Sequence, residues 1–542
     1  MLSRRQLLGR TGLTTAAVVL APQSAIELLA APRGQAALLR GGRFRQGVLS
    51  GDPSEGGITL LTLLDDVEGF GEVRLEVARD PDFRRVVARR TIATGARRNH
   101  SVKARVTGLD AHERYWYRFE TRDEQSPVGR FQTALPEDSN QPVRFAFFSC
   151  SDYTHGYYNA FELMRRDDID FVVCLGDYTY SETYHGRETG TSVREDRIGS
   201  EAPDNPAIVR EALTIGDYRR KYALYRSDAS LRALHARFPM IATWDDHEVQ
   251  DNYAGEAPGG GLDASKRYSN RRRRAGEKAW EEAMPFFRHS SGRIWRGLRH
   301  GRTVDLIMLD QRQYRADQPC GDAVAPPCGE WTGPRAFLGE QQLGWLKQRL
   351  SRSPASWKVI GSQTMMMPAK VTGGSFYSFD SWHGYPDERE DLLEHIRSEG
   401  IEDVVFLTGD IHTFIAGDVR TRMGEGEPVA LEFVGGSVTS TNFGETDLNL
   451  GGGIRLEGND ADPSTSPAII DALRGINPWV DQADFDHHGY GLVTASRDRL
   501  DVTLERLETI KRRSRRTLPR DGFRYEVARG QRSIKGVNGP AG

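Results

Sequence analysis

Hydrophobic and polar positions along the chain fall into two textures. From about Phe44 to Leu135, short segments of mixed or alternating polarity follow one another, among them "GITLLTLLD", "GEVRLEVARD", "RRVVARRTIA", "HSVKARVTGL", "RYWYRFETRD" and "VGRFQTAL". Turn residues separate them, including Gly56-Gly57, Asp80-Pro81 and Gly108-Leu109-Asp110. Strands of this length and spacing predict an all-β sandwich. "PEDSNQP", Pro136 to Pro142, reads as a linker. Beyond it, near-continuous apolar runs ("VRFAFFSC", "DFVVCLGD", "PMIATWDD", "TVDLIMLD", "SWKVIGSQ", "DVVFLTGD") alternate with helical patterns such as "YNAFELMRRDD", "ASLRALHARF" and "DEREDLLEHIRSEG". Apolar strands between helices predict an α/β arrangement with both sheet faces covered. In open α/β sheets, ligands gather beyond the carboxyl ends of the strands.

Those ends carry metal-ligand chemistry. "SCSDY" sets Cys150 and Asp152 two residues apart, on one side of an extended segment. "GDYTY" adds Asp177 and Tyr180, "WDDHEVQDN" adds Asp245, Asp246, His247 and Asn252, and "TGDIHTF" adds Asp410 and His412. Any one of these alone is more simply a turn residue, a cap or a core side chain. Four such motifs at successive strand ends predict a shared metal site. Arg389, in "GYPDERED", is either a bidentate phosphate ligand or a salt-bridge partner at a helix start.

Composition narrows the classes. A chain of 542 residues has room for two or three domains, and 38% apolar with 27% charged residues describes a globular protein. A net charge of −3 gives no electrostatic case for a nucleic-acid partner. "SRRQLLGRTGLTTAAVVLA" matches a twin-arginine export signal, expected over residues 1–37, with the export machinery as a partner and a periplasmic or secreted destination. No other segment reads as transmembrane. Four cysteines are too few for a disulfide scaffold; Cys320 and Cys328 flank "GDAVAPP" and are read equally as a bridge or as two free thiols. "NRRRRAGEKAWEE" is expected to present a solvated basic helix face, the glycine-rich "GEAPGGGLD" and "GGGIRLEGND" to form loops near a site, and the basic stretch after Leu507 to be partly disordered.

The ordered set C-x-D, G-D-x-x-Y, D-D-H-E and G-D-x-H resembles the site of metallophosphoesterases, and of the PhoD-type alkaline phosphatase family in particular. "EFVGGSVTS" and "DHHGYGLVT" extend the likeness over nearly the whole chain. "GLDAHERYWYRFE" resembles the tyrosine-bearing corner of fibronectin-type-III domains. The resemblance implies a four-layer α/β/β/α metallophosphoesterase sandwich over 143–510. A fibronectin-III/Ig-like sandwich over 38–135 would precede it and a tail over 511–542 would follow. It implies Asp177 bridging two metals, with Cys150, Tyr180 and His412 holding Fe³⁺ and the oxygens of Asp152, Asp246, Asn252 and Asp410 suiting Ca²⁺; Zn²⁺ or Mn²⁺ are the alternatives. His247 would contact the phosphoryl or leaving-group oxygen, Asp310 and Arg312 would support the sheet, and His383 stands where the pattern expects an acid. The implied activity is hydrolysis of phosphomonoesters by an alkaline phosphatase. A phosphodiesterase or phospholipase D acting on a phospholipid or polymer diester is the alternative, and a non-catalytic cell-surface binding protein is less favoured.

Overall fold

The computed structural model describes residues 38–183, 210–258, 268–449, 455–456 and 465–534. The expected leader, and parts of both glycine-rich loops, lie outside them. The first strands are β1 (Val48–Ser54), β2 (Gly57–Leu63), β3 (Phe70–Ala78), β4 (Val86–Gly95), β5 (Ser101–Thr107), β6 (Arg114–Glu120) and β7 (Gly129–Gln132). β4-β3-β6-β7 form one sheet, and β1, β2 and β5 pair as the facing layer. Alternation sets the inward face: Tyr115, Tyr117 and Phe119 of β6 are buried, while Trp116 and Arg118 between them are only half-buried. They join Val73 and Leu75 against Ile58, Leu60 and Val102 across the sandwich. The Tyr115 hydroxyl accepts from the Asp110 N–H (2.9 Å), the corner expected of "GLDAHERYW".

The α/β part begins with β8 (Val143–Phe148), α1 (Asn159–Met164), β9 (Phe171–Cys174), α2 (Ile215–Tyr225), α3 (Ala229–Arg237), β10 (Met240–Ala242) and α4 (Asn270–Ala283). It continues through β11 (Arg296–His300), β12 (Val304–Met308), α5 (Glu340–Arg352), β13 (Trp357–Ser362), α6 (Pro386–Ser398), β14 (Val404–Thr408), β15 (Phe414–Arg420) and β16 (Pro428–Gly435). It closes with the short pair β17 (Leu448–Asn449) and β18 (Arg455–Leu456), α7 (Pro467–Ile476), β19 (Val480–Asp484), β20 (Gly489–Ala495), β21 (Arg499–Arg506) and β22 (Arg524–Ala528). A nine-stranded sheet, β22-β21-β20-β8-β9-β10-β1-β2-β5, faces a seven-stranded one, β11-β12-β13-β14-β16-β15-β19. Phe145, Phe147, Val173 and Ile241 of the first sheet meet Leu306, Val359, Leu407 and Phe433 of the second in one core. Leu231, Leu234 and Trp280 of α3 and α4 cover the outer face of the first sheet. Leu346, Leu392 and Ile396 of α5 and α6 cover that of the second. The layers are therefore α/β/β/α.

The sandwich strands are continuous with the nine-stranded sheet because β1 pairs in parallel with β10 at Gly51 and Met240. A side chain at Gly51 would meet the carbonyl oxygens of Met240 and Pro285 at 2.5 Å, so the join requires glycine there. Two expectations are corrected. The basic helix α4 is not simply a solvated face: Arg272, Gly276, Ala279, Trp280 and Ala283 fall on one stripe and are buried. The stretch after Leu507 is ordered at least to 534. Tyr525 and Val527 alternate inward in β22, which pairs with β21, so the chain forms an edge strand there instead of a tail.

Gly491 of β20 lies opposite Phe147 of β8, and a side chain there would overlap the phenyl ring. Gly491→Ala is expected to cost about 1–3 kcal/mol, read as a lowered urea midpoint. An unchanged midpoint would contradict this packing.

Candidate metal centre

The motif residues follow the carboxyl ends of β8, β9, β10 and β14, drawn from both sheets at one rim. Five have left-handed backbone: Cys150 (φ 58°), Asp177 (51°), Asn252 (52°), Asp410 (67°) and His412 (57°). Residues with side chains seldom adopt this region, and it recurs where surrounding structure forces a functional group into place. Much of that force comes from buried Glu248. Its carboxylate accepts from the N–H groups of Asp177 (3.1 Å), Tyr178 (2.7 Å) and Asp245 (2.8 Å). The Cys150 carbonyl accepts from the N–H groups of Thr439 (3.3 Å) and Ser440 (3.2 Å), tying the first strand end to the loop after β16.

One donor set converges on Asp177 Oδ2. Cys150 Sγ lies 3.5 Å from it and the Tyr180 hydroxyl 3.4 Å, while His412 Nε2 is 3.1 Å from that hydroxyl. Donors bonded to one ion at roughly 2.0–2.3 Å are spaced in this way. The outer contacts are in place. His412 Nδ1 donates to the Thr441 carbonyl (2.7 Å), which leaves the Nε2 lone pair facing the set, and Ser440 Oγ donates to the Tyr180 oxygen (2.6 Å). Burial, and then the charge of Asp177, push the Cys150 thiol and Tyr180 phenol well above their usual pKa. Burial holds His412 down at about 4, so it is a neutral donor. A thiol and a phenol so placed ionise only against a cation.

Asp177 also belongs to a second group with Asp246 and His247, and Asp246 to a third with Asp245 and Asp410. Burial raises Asp177 and Asp410 well above the ordinary carboxylate range and brings Asp245 and Asp251 up to about 7. The fixed counter-charges are Arg312 and Arg315. Arg312 pairs with Asp245 through Nε, with Asp380 (2.8 Å), and at longer range with Asp246 (3.4 Å) and Asp410 (3.6 Å), and Arg315 pairs with Asp380 as well. His247 stacks on Tyr180 with ring centroids 4.1 Å apart and places Nδ1 2.9 Å from Glu182. Burial opposes its charge, yet Asp246, Asp177 and Glu182 hold its pKa well above the usual value. The groups open on a cleft of about 430 Å³ whose walls include Asp246, His247, Asn252, Asp380, His383 and Asp410.

The fold thus brings together Cys150, Asp177, Tyr180, Asp246, His247, Asp410 and His412. Asn252 lines the cleft, but its amide donates to Asp322 (2.8 Å) and its N–H to Asp246 (2.6 Å). Asp152 falls in none of the donor groups, although its charge reaches Tyr180; its carboxylate accepts from the Thr154 N–H and hydroxyl (both 2.8 Å) and holds a turn. Arg389 is a clear correction. It shares the buried stripe of α6 with Leu392, Leu393 and Ile396, and its guanidinium donates to the carbonyls of Met366 (2.9 Å), Arg420 (3.0 Å) and Thr421 (3.4 Å). Helical periodicity turned it inward, away from the cleft. Arg312 does more than support the sheet, being the cation at the centre of the carboxylates. Glu182, Asp322 and Asp380 had no motif of their own to mark them. Glu248 and Asp251 lay inside "WDDHEVQDN" and were passed over. Cys320 and Cys328 are joined in a disulfide, which settles the open alternative.

Two facing sheets with a carboxylate-lined cleft across their carboxyl ends define an α/β phosphoesterase architecture. Residues 145–504 match the PhoD-like phosphatase model and residues 30–135 that of the PhoD-like phosphatase N-terminal domain. Alkaline phosphatase D of Bacillus subtilis (strain 168) is 38% identical over 423 residues, covering 74% of this chain and 70% of that protein. The chain belongs to the PhoD-like phosphatase family. A solved structure of PhoD superposes with a TM-score of 0.78 at 31% identity, over 93% of this chain and 94% of that one. Purple acid phosphatase PPD1 from yellow lupin shares the fold, with a TM-score of 0.53 at 12% identity over 91% and 76% of the two chains.

Glu248→Ala would leave three buried N–H donors unpaired, at about 1–3 kcal/mol each. It is expected to lower the denaturation midpoint sharply, with Glu248→Gln losing much less because one acceptor oxygen remains. Equal losses in the two variants would mean that these hydrogen bonds do not hold the strand ends.

Proposed function

We propose that the chain is an exported, metal-dependent phosphoric ester hydrolase that releases phosphate from monoesters. The observation that carries the reading is the convergence of Cys150, Tyr180, Asp177 and His412 beside a second, carboxylate-rich group sharing Asp177. Thiolate and phenolate donors suit Fe³⁺ on the first side, and the hard oxygens of Asp246, Asp410 and Asn252 suit Ca²⁺ on the second, with Zn²⁺ or Mn²⁺ as alternatives. When bound, the ions supply Lewis-acid neutralisation of the phosphoryl oxygens and an activated water.

The chain's own groups do the rest. Glu182 fixes the His247 ring through Nδ1, and Nε2 lies 3.9 Å from both Asp246 and Asp251 in the wall of the cleft. From there His247 donates to a phosphoryl oxygen or passes its proton to the departing alkoxide, a step worth about 10²–10⁴ in rate. Arg312 is too deeply buried to meet substrate; it balances Asp245, Asp246 and Asp380 so that their oxygens keep fixed positions. The twin-arginine signature at Arg4 and Arg5 supports export. The Cys320–Cys328 bridge fits an oxidising destination. Among the described residues, no helix is long and apolar enough to cross a membrane.

A diesterase reading has its own support. An apolar groove walled by Met365, Pro368, Ile470, Leu473 and Phe485 adjoins the cleft and shares Tyr377, Ile411 and Phe443 with it. A diester carrying an apolar group would find a wall there.

Hydrolysis of chromogenic phosphomonoester and phosphodiester substrates, with and without a chelator, tests both readings. Chelator is expected to abolish turnover. Asp177→Asn should lower kcat by at least about 10³-fold and His247→Gln by about 10²-fold. Arg389→Lys is expected to lower stability without a selective effect on KM. Chelator-resistant hydrolysis that survives Asp177→Asn would overturn the assignment. A kcat/KM higher for the diester would favour the second reading.

A further inference from the structure

A second set of metal-type donors lies beneath the catalytic rim and has no part in the reaction described above. His155, in the loop after β8, Glu445, in the turn Phe443–Glu445, and His488, just before β20, are all buried. His155 Nε2 lies 3.0 Å and His488 Nε2 3.1 Å from the same oxygen, Glu445 Oε2. The Asn442 N–H donates to that oxygen as well (3.1 Å).

Hydrogen-bond directions narrow what the trio can be. Ser437 Oγ donates its one hydrogen to the Ser440 carbonyl (2.6 Å), so towards His488 Nδ1, at 2.9 Å, it can only accept. His488 Nδ1 therefore carries hydrogen. A neutral His488 then directs the lone pair of Nε2 at a carboxylate oxygen that already accepts from Asn442. Apart from a long contact with the Asn442 side-chain amide (3.4 Å), what relieves two lone pairs at 3.1 Å is a positive charge between them: either an extra proton on the ring or a metal ion. The second imidazole, pointing its own Nε2 at the same oxygen, fits the ion better. Both imidazole nitrogens lie about 3 Å from the one carboxylate oxygen, and all three atoms lie within 4.8 Å of one another, which suits donors about 2.0–2.1 Å from one tetrahedral ion. The Ser437–His488 hydrogen bond is then the outer contact that fixes a ligand's tautomer.

We infer that His155, Glu445 and His488 form a further binding site for a divalent transition-metal ion of the zinc class. Nitrogen donors with a single carboxylate disfavour calcium and magnesium. The ion would fasten three separate pieces of chain: the loop after β8, the loop after β16, and the start of β20. The middle piece matters to the catalytic rim, because Ser440 donates to Tyr180 and the Thr441 carbonyl holds His412. The inferred role is structural, and it stands whether or not the catalytic assignment does.

Cobalt(II) titration followed by visible absorption tests the site on the full chain carrying Cys150→Ser and Asp177→Asn, which removes the thiolate and the shared carboxylate of the catalytic groups. The expected result is one tightly held equivalent with no thiolate charge-transfer band, displaced by Zn²⁺. Adding Glu445→Gln or His488→Gln should weaken it at least about tenfold. No bound cobalt in the folded background chain would overturn the inference, as would an equivalent that both substitutions leave intact. If that background does not fold, the wild-type chain is titrated against the single variant Glu445→Gln. Loss of one bound equivalent supports the site, and an unchanged total overturns it.

Discussion

Carboxylates crowded into a buried rim are the constraint on which this structure turns. Asp177, Asp245, Asp246, Asp380 and Asp410 are drawn from three strand ends and a loop, and all lie within one low-dielectric region. Ionised together, they would repel one another strongly and lose their hydration. Two buried arginines, Arg312 and Arg315, with the His247 ring beside them, offset part of that cost. Bound cations offset the remainder, and the same excess of negative charge that calls for them selects metal chemistry over nucleophilic side-chain chemistry. A phosphate ester is itself anionic, so the cleft receives it only once the metals are in place.

The scaffold explains how the chain tolerates such a rim. The strands beneath it are apolar on both faces, and their shared core fixes the spacing of the two sheets. Positional precision at the ends then comes from local devices. Left-handed residues turn the chain sharply after β8, β9 and β14, Glu248 gathers three N–H groups from the ends of β9 and β10, and the 437–445 loop ties the first strand end to His412 and Tyr180. The strain is local, and the apolar layers on either side of it hold the geometry.

Much of this was legible in the sequence, for physical reasons. Buried strands announce themselves as apolar runs, and a strand that stops at Gly-Asp or Asp-Asp-His marks its own end. Cys150, Asp177, Tyr180, Asp246, His247, Asp410 and His412 were found because each sits in such a place. Asp152 falls outside the gathered donor groups because two-residue spacing on an extended segment predicts a shared direction, whereas the chain turns at Cys150 and the carboxylate accepts from the Thr154 N–H. Arg389 was misplaced because its charge outweighed its position on the apolar stripe of α6, where it answers backbone carbonyls. Arg272 and the strand β22 follow the same pattern: charge density suggested solvent, but periodicity decided burial. Asp380 and Asp322 come from loops with no periodic signal, and only the tertiary fold brings them to the cleft.

The central claim is that the two donor groups sharing Asp177 hold metal ions in the working enzyme. Anomalous X-ray diffraction from crystals of the active protein, recorded on both sides of the iron absorption edge, addresses it most directly. The account predicts an edge-dependent peak within about 2.3 Å of Cys150 Sγ, the Tyr180 oxygen, His412 Nε2 and Asp177. It also predicts a second metal peak on the Asp246 and Asp410 side that does not respond to that edge. An active crystal with no metal peak among these donors would contradict it.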